Sequence, residues 1–387
     1  MASPCGAVLF KGIMSERFVV HNGRKLRSGF TTGSCAAAAA GAAAELILSG
    51  NAPKQYGLTV PSGDVLLLDI IVFDNSACGV IKDGGDDADA TDGAMVCARV
   101  SKISEGFTVT GGEGVGKVTK AGLDQPVGEW AINSTPRKMI LGQLAKTAEK
   151  FGYMGGLCAE IFVPSGAEIA KKTYNPRMGI AGGISILGTS GIVEPMSTRA
   201  LVETIRIEAR SLRTVGRTVL PLTIGNFGER FVDKTLPFRS EDCVVCSNYI
   251  GEALDIALEL GFSGVLIIGH LGKLVKLGAG IMNTHSAAAD GRMDVLITCG
   301  VLSGIPSETL APLIGCATVD AALDLIPKDK LGDVLGILTK RADGYLNARV
   351  RESIEVGAVM FSDKHEIILK TSAADDLIKK ITREAGR

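Results

Sequence analysis

The pattern of hydrophobic and polar positions divides the chain into two regions with different predicted elements. From about 57 to 120, short apolar runs such as YGLTV, VLLLDIIVF and FTVTG alternate with turn sequences rich in Gly, Asp and Ser. Short β-rich runs separated by such turns predict a sheet. One long helix follows, which opens at Ser134 with Pro136 in its first turn and is predicted to end near Gly152.

The region from about 180 to 300 repeats an apolar strand, a glycine loop and a helix. The predicted strands are GGISILG, TVLPLTIG, CVVCSN and GVLIIG, and helices are predicted through TRALVETIRIEARS and YIGEALDIALELG. Strands that alternate with helices predict βαβ units and a parallel sheet. The predicted fold class is therefore α/β, with an N-terminal mixed-sheet α+β domain at 1–178 and a Rossmann-like parallel-sheet domain at 179–300. Residues 301–387 are predicted to form a C-terminal helical segment with a terminal β-hairpin, packed on the other domains.

The stretch FTTGSCAAAAAGAAAELIL predicts a helix with very small side chains that runs to about Ser49. Thr31, Thr32 or Ser34 can cap this helix, and the alanines with Gly41 would let it pack closely under a sheet. One hydroxyl is enough for a cap, so the TTGS sequence suggests a further role. The unpaired N–H groups and the positive dipole end make the start of the helix a predicted anion site, and an ordinary capped core helix is the alternative.

Three glycine loops follow predicted strands of the second region. In open parallel sheets, ligands bind outside the carboxyl ends of the strands, so these loops are expected to converge on one crevice for a small molecule. The alternative is that the glycines only form tight turns. The residues predicted to line this crevice are Gly188, Thr189, Ser190, Gly191, Gly225, Asn226 and Gly269, with His270 beside them as an acid or base or as a structural imidazole.

Composition and charge narrow the class of protein. Of 387 residues, 46% are hydrophobic and 21% charged, as in folded globular proteins, and 41 basic residues against 42 acidic ones give no general field for nucleic acid or anionic lipid. Lys11, Glu16 and Arg17 interrupt any apolar signal segment, and the uncharged stretches 28–44 and 178–193 are too short to span a membrane. A cytoplasmic protein is expected, with homo-oligomerisation left open.

Several common catalytic motifs are absent from the sequence. No Ser-His-Asp or Cys-His arrangement, GxxxxGK[ST] or HExxH motif is present, which disfavours hydrolase, P-loop and zinc-protease functions. The acidic loop at 83–92 has enough carboxylates for a cation but lacks the order of an EF-hand, so a solvated turn is predicted, with a cation site as the alternative. No metal site is included in the prediction. From the residues alone, the prediction is an α/β enzyme with a small-molecule crevice.

Six long motifs resemble one enzyme family. They are LRSGFTTGSCAAAAA, GGEGVGKVTKAGL with PVGEWAINSTPRKMI, NPRMGIAGGISILGTSGIVEPMS, GNFGERF, CSNYIGEALDIALELGF and IGHLGKLVKLGAGIMNTHS. Together they resemble the cobalt-precorrin-5B C1-methyltransferases, the CbiD-type enzymes of anaerobic cobalamin synthesis, from about Leu26 to near 300 and more loosely to the end. The resemblance implies methyl transfer from S-adenosylmethionine to carbon 1 of a cobalt-bearing tetrapyrrole, giving cobalt-precorrin-6A, with cobalt present only as part of the substrate.

The resemblance also implies roles for individual residues. Glu194 would accept hydrogen bonds from the ribose of the cofactor, and His270 would adjust protons on the macrocycle. Guanidinium forks suit carboxylates, so Arg137 with Lys138 would bind the carboxylates of the substrate. Other basic residues in or beside the motifs are further candidate donors, namely Arg27, Lys171, Lys172, Arg177 and Lys273. The residues Thr31, Thr32, Gly33 and Ser34 would bind another such carboxylate. Asp92 stands where the family pattern has a histidine, and a non-catalytic tetrapyrrole- or nucleotide-binding protein of the same fold is the alternative.

Overall fold

The computed structural model describes residues 17–21 and 23–386. The chain divides into two compact units, Met1–Ser197 (unit 1) and Thr198–Arg387 (unit 2). This division differs from the predicted one at two places. Residues 179–197 belong to unit 1, and residues 301–387 share unit 2 with the segment predicted as the parallel-sheet domain.

Unit 1 contains a mixed sheet packed against two long helices. Its helices are α1 (Thr32–Ser49), α2 (Ser134–Lys150), α3 (Gly166–Ala170) and α4 (Asn175–Met178). Its strands are β1 (Phe18–His21), β2 (Arg24–Arg27), β3 (Gly29–Phe30), β4 (Gln55–Thr59), β5 (Val65–Asp69), β6 (Ile71–Val72), β7 (Ala77–Ile81), β8 (Met95–Ile103), β9 (Phe107–Gly111), β10 (Lys117–Val118), β11 (Gly156–Phe162), β12 (Ile180–Ala181) and β13 (Ile192–Val193).

The main sheet of unit 1 has the strand order β6-β7-β8-β11-β9. Neighbouring strands are antiparallel except β11 and β9, which are parallel. Short antiparallel pairs surround this sheet, including the hairpin of β4 with β5 and the pairings of β10 with β12 and of β3 with β13. The predicted mixed-sheet α+β organisation of this part of the chain is confirmed.

Helix α1 is the centre of unit 1. Thr31 caps it by accepting a hydrogen bond from the Ser34 N–H, and Gly50 ends it in the left-handed conformation, as predicted within one residue. Every alanine of the run is 0% exposed, because α1 packs against α2 and against strands of the main sheet. The helix has the length and apolar character of a membrane span, but 72% of it is buried inside the structure, as in the core helix of a folded domain.

Unit 2 contains a mostly parallel sheet with helices. Its helices are α5 (Thr198–Thr214), α6 (Gly225–Thr235), α7 (Ile250–Glu259), α8 (Leu271–Leu274), α9 (Arg292–Leu302), α10 (Ser307–Leu310), α11 (Val319–Leu325), α12 (Lys328–Val350) and α13 (Ala374–Glu384). Its strands are β14 (Val219–Thr223), β15 (Val244–Val245), β16 (Gly264–His270), β17 (Glu355–Ser362) and β18 (Ile367–Lys370). Short 3-10 helices cover Ser240–Asp242, Val275–Ala279 and Ala311–Gly315.

The sheet of unit 2 has the order β15-β14-β16-β17-β18, in which the first four strands are parallel and β18 is an antiparallel edge. Three of the four predicted parallel strands are confirmed. The fourth parallel strand of the observed sheet is β17, the first strand of the predicted terminal hairpin. This hairpin therefore extends the sheet. The predicted strand GGISILG is wrong, because Ile184 and Ile186 bridge to Val115 and Ile132 and are buried in the core of unit 1.

The packing of α1 predicts opposite effects for two helical glycines. A Cβ added to Gly41 would stand 2.3 Å from the ring of Tyr56, which is buried and donates a hydrogen bond to Gln143. We expect Gly41→Ala to lower the free energy of unfolding by about 1–3 kcal/mol through overpacking. Gly142→Ala in α2 meets no atom within 4 Å and should raise it by about 0.5–1 kcal/mol. Denaturant unfolding of both variants checks this, and equal stability would contradict the close approach of α1.

Candidate functional site

The carboxyl edge of the unit 2 sheet brings two of the predicted glycine loops together. From β14 the chain runs through α6 to β15 on one side, and then through α7 to β16 on the other side of β14. The strand order therefore reverses between β14 and β16. Such a switch point leaves a crevice outside the carboxyl ends of the two strands, where ligands bind in open α/β sheets.

The start of α6 forms one side of this edge. Gly225–Asn226–Phe227–Gly228, predicted as a loop, is the first turn of the helix, which follows β14 directly. No side chain caps this turn. Asn226 and Phe227 are exposed, and the guanidinium of Arg230 lies 4.7 Å from the centre of the Phe227 ring. The edge therefore offers backbone N–H groups beside an accessible aromatic ring.

His270 ends β16 and forms the other side of the edge. Its ring centre lies 6.1 Å from that of Phe227, and the N–H of Ile224 donates to the carbonyl of Ile268 at 3.1 Å, so the two strand ends adjoin. The Nδ1 atom of His270 accepts from the Gly272 N–H at 3.0 Å, and Nε2 lies 4.0 Å from a carboxylate oxygen of Asp320. An Nδ1 that accepts a hydrogen bond places the proton of the neutral ring on Nε2. This arrangement supports a capping role and leaves no free lone pair for the predicted base.

Lys273, expected only as a donor to substrate carboxylates, belongs to a polar network after β15 that the sequence did not predict. Lys273 Nζ donates to the Asn248 side-chain oxygen at 2.9 Å, and the Thr284 hydroxyl donates to the same oxygen at 3.1 Å. The buried Lys276 donates to the Thr284 carbonyl at 3.0 Å. Partial burial of its ammonium lowers the pKa of Lys273. The motifs CSNYIGEALD and IGHLGKLVKLGAGIMNTHS contain these residues, but spacing alone could not show that they meet.

The hydroxyls at the start of α1 bind another part of the chain. Ser34 Oγ donates to the Gly191 carbonyl at 2.7 Å, and Thr32 Oγ1 accepts from the Leu187 N–H at 3.0 Å. The backbone N–H groups of Thr31 and Gly33 donate to carbonyls of the same segment. Because the side chains of Thr31, Thr32 and Ser34 are at most 5% exposed, the TTGS sequence is explained by this internal contact. The geometry does not support the predicted carboxylate site.

The first predicted glycine loop belongs to that contact. A Cβ on Gly188 would stand 2.2 Å from Thr31 Oγ1, so the space beside Gly188 is filled by the protein itself. Ser190 bonds to the backbone of Ile192, whereas Thr189 is exposed. The expectation that this loop lies at a strand end of the parallel sheet is therefore wrong. Glu194 also lies in unit 1, where it accepts a hydrogen bond from Arg17 at 2.9 Å.

The predicted substrate residues on α2 differ from each other. Arg137 Nε donates to the Ile132 carbonyl at 2.9 Å, and its guanidinium lies 3.8 Å from Glu129. The side chain of Arg137 is only 22% exposed, so it supports the turn before α2. Lys138, the next residue, is exposed. Of the two, Lys138 is the more accessible to a ligand.

The acidic loop at 83–92 is an ordered structure. Lys82, with a side chain only 2% exposed, donates to Asp89 at 2.5 Å, and Arg27 donates twice to Asp83. Burial opposes ionisation of Asp89, but the hydrogen bonds from Lys82 and Thr91 outweigh it and lower the pKa of this carboxyl. The loop carboxylates therefore bind donors of the chain itself, which corrects the predicted solvated turn.

Comparisons with known proteins agree on one family. A family model described as CbiD matches residues 19–195, and one described as the CbiD C-terminal domain matches residues 283–372. A protein of Ruminiclostridium cellulolyticum named cobalt-precorrin-5B C(1)-methyltransferase is 41% identical over 386 residues, covering 96% of this chain and 100% of the relative. A protein of the same name from Photorhabdus laumondii is 41% identical over 93% of this chain and 96% of its own length. A crystal structure of a cobalamin biosynthesis protein (cbiD) from Archaeoglobus fulgidus is 29% identical, covers 71% of this chain and 87% of its own, and has a TM-score of 0.41.

The contact between Gly188 and Thr31 predicts a loss of stability. Gly188 has φ +137° and a filled Cβ position, so Gly188→Ala should lower the free energy of unfolding by about 2–4 kcal/mol through strain and overpacking. Gly182 has φ +84°, and a Cβ added there would meet no atom within 4 Å. Gly182→Ala should therefore lower the free energy of unfolding only by the backbone strain, about 1–2 kcal/mol. Denaturant unfolding measures both. A Gly188→Ala protein as stable as Gly182→Ala, but with weaker affinity for S-adenosylhomocysteine, would instead place a ligand beside Gly188.

Proposed function

This chain belongs to the CbiD family, and on that premise we propose that it transfers a methyl group from S-adenosylmethionine to carbon 1 of cobalt-precorrin-5B. The product would be cobalt-precorrin-6A, an intermediate of anaerobic cobalamin biosynthesis, made in the cytoplasm. The relatives that are about 40% identical over nearly the whole chain carry the name of this activity, which supports the proposal.

The observation that carries the cofactor part of the proposal is the reversal of strand order between β14 and β16. A reversal of this kind is typical of doubly wound sheets, in which nucleotide-type ligands bind at the switch point, and it supports the proposal. We therefore propose that unit 2 is Rossmann-like and binds S-adenosylmethionine at this edge. Gly225, Asn226 and Gly269 remain the proposed cofactor residues, and Phe227 joins them.

The groups at this edge fit the parts of the cofactor. The exposed ring of Phe227 would stack on the adenine, since every base offers a π-face to an aromatic side chain. The uncapped first turn of α6 would attract the carboxylate of the methionine part through its N–H groups and the helix dipole. S-adenosylmethionine, when bound, supplies an electrophilic methyl group on a sulfonium.

The residues of the chain would contribute mainly binding and orientation. Methyl transfer from a sulfonium needs the acceptor carbon in line with the methyl group, so a fixed position for both partners lowers the barrier. The network of Lys273, Asn248 and Thr284 would keep the loops at the edge in one conformation. No covalent nucleophile is required, and cobalt enters with the macrocycle. His270 would hold the first turn of α8 rather than exchange protons.

The function itself is tested by turnover. The chain, incubated with cobalt-precorrin-5B and S-adenosylmethionine bearing a labelled methyl group, should place the label on the macrocycle at carbon 1, as read by mass spectrometry and NMR. A chain that binds both compounds without transfer would instead be a non-catalytic tetrapyrrole-binding protein.

The proposed cofactor edge predicts a loss of affinity. Phe227→Ala should weaken the binding of S-adenosylhomocysteine about tenfold, because one base–aromatic stack is lost. Phe151→Ala, which removes a partly exposed phenylalanine of unit 1, is the matched control and should leave the affinity unchanged. Calorimetry on the folded variants gives both dissociation constants. If Phe227→Ala binds S-adenosylhomocysteine with normal affinity and Glu194→Gln binds it weakly, the cofactor site lies in unit 1 instead.

A further inference from the structure

Unit 1 contains a groove that is lined, apart from Lys171, by none of the cofactor or substrate residues discussed above. The groove is about 390 Å³ in volume and is formed by residues of α3, α4 and β12 with the chain after β10. Ala170, Pro176 and Ile180 give it an apolar lining, and Thr119 and Lys171 add polar groups. Small-molecule sites are concave and mostly apolar with a few polar groups, and this volume lies within their usual range of about 300–1,000 Å³.

The walls of the groove are held by several interactions. Strands β10 and β12 pair through Lys117 with Ala181, and the Thr119 hydroxyl donates to the Gly179 carbonyl at 2.8 Å. At the start of α4, the buried Asn175 side chain accepts a hydrogen bond from Ser185 at 3.3 Å. A site formed in this way loses little conformational freedom when a ligand binds.

The segments around the groove are basic, although the whole chain is nearly neutral. Residues 117–120 and 166–183 together carry five Lys and Arg side chains and one Glu, a local net charge of +4, against −1 for the whole chain. A local charge of one sign raises the concentration of ligands of the opposite sign. The groove therefore favours a ligand with an apolar body and carboxylates.

We propose that this groove binds one edge of the tetrapyrrole, with ring carbons against Ala170, Pro176 and Ile180 and a peripheral carboxylate on Lys171. The inference rests on the proposed function, because the substrate of that reaction combines an apolar ring system with peripheral carboxylates. It makes Lys171 a substrate-binding residue on a surface that the strand-end edge of unit 2 does not include.

Lys171 is well placed to exchange its present partner for the ligand. Its ammonium lies 2.6 Å from Glu168, but the two side chains are 67% and 76% exposed. Exposed ion pairs contribute little, because water screens them and both side chains lose freedom. A carboxylate held by the apolar groove could therefore replace Glu168 at small cost.

Binding of a stable corrinoid tests the proposal. The probe is cobyrinic acid, a cobalt corrinoid with free carboxylates, and its methyl ester is the neutral counterpart. Lys171→Met should weaken binding of the acid about tenfold through loss of a charge-assisted hydrogen bond, and should leave binding of the ester unchanged. Ala181 is an exposed residue of the groove lining, so Ala181→Phe should fill the groove and weaken binding of both the acid and the ester.

Two matched variants separate the groove from general effects. Lys54→Met removes an exposed charge elsewhere in unit 1, and Thr59→Phe adds a ring at an exposed strand position, so both should bind cobyrinic acid like the wild type. If Lys171→Met and Ala181→Phe bind cobyrinic acid as tightly as the wild type, and the wild type methylates its substrate, the proposed binding at the groove is wrong while the proposed function stands. A wild-type chain that neither binds corrinoids nor transfers methyl groups would overturn the proposed function and the groove with it.

Discussion

The close packing of α1 is the constraint on which the rest of unit 1 depends. The helix touches α2 and the strands of the main sheet, and between residues 36 and 44 its side chains are no larger than alanine, which lets the backbones approach. At Gly41 even one methyl group would meet Tyr56. Apolar burial stabilises this arrangement, but the small volume of each side chain makes it possible, because protein interiors are packed without room for an added group.

The same helix determines where unit 1 ends along the chain. Its first turn bonds to the segment 185–191 through Thr32 and Ser34, and β13 pairs with β3 just before the helix. The strand and glycine pattern of this segment predicts that it belongs to the second region, but the structure places it in unit 1. This contact explains why residue 188 is a glycine, because Thr31 occupies the space where a side chain would stand.

The two units offer different chemistry to the proposed reaction. Unit 2 presents an uncapped helix start and an exposed aromatic ring at a switch point, which suit a nucleoside with a small charged group. Unit 1 presents an apolar groove among basic segments, which suits a large carboxylated ring system. A net charge near zero hides this difference, because the basic segments of the groove are balanced by acids elsewhere in the chain.

The sequence by itself determined the local elements. Caps and apolar runs predicted α1, α2, β4, β14 and β16 closely, because helix ends and strand alternation depend on neighbours a few residues away. The long motifs of the sequence also indicated the family. Only the tertiary structure decided which sheet each segment joins: Ile184 and Ile186 went to the core of unit 1, and β17 took the place of the fourth parallel strand. It also decided what Thr32, Ser34, Lys82 and His270 bind, since a polar side chain in a folded interior bonds to whatever distant backbone or carboxylate the packing brings within reach.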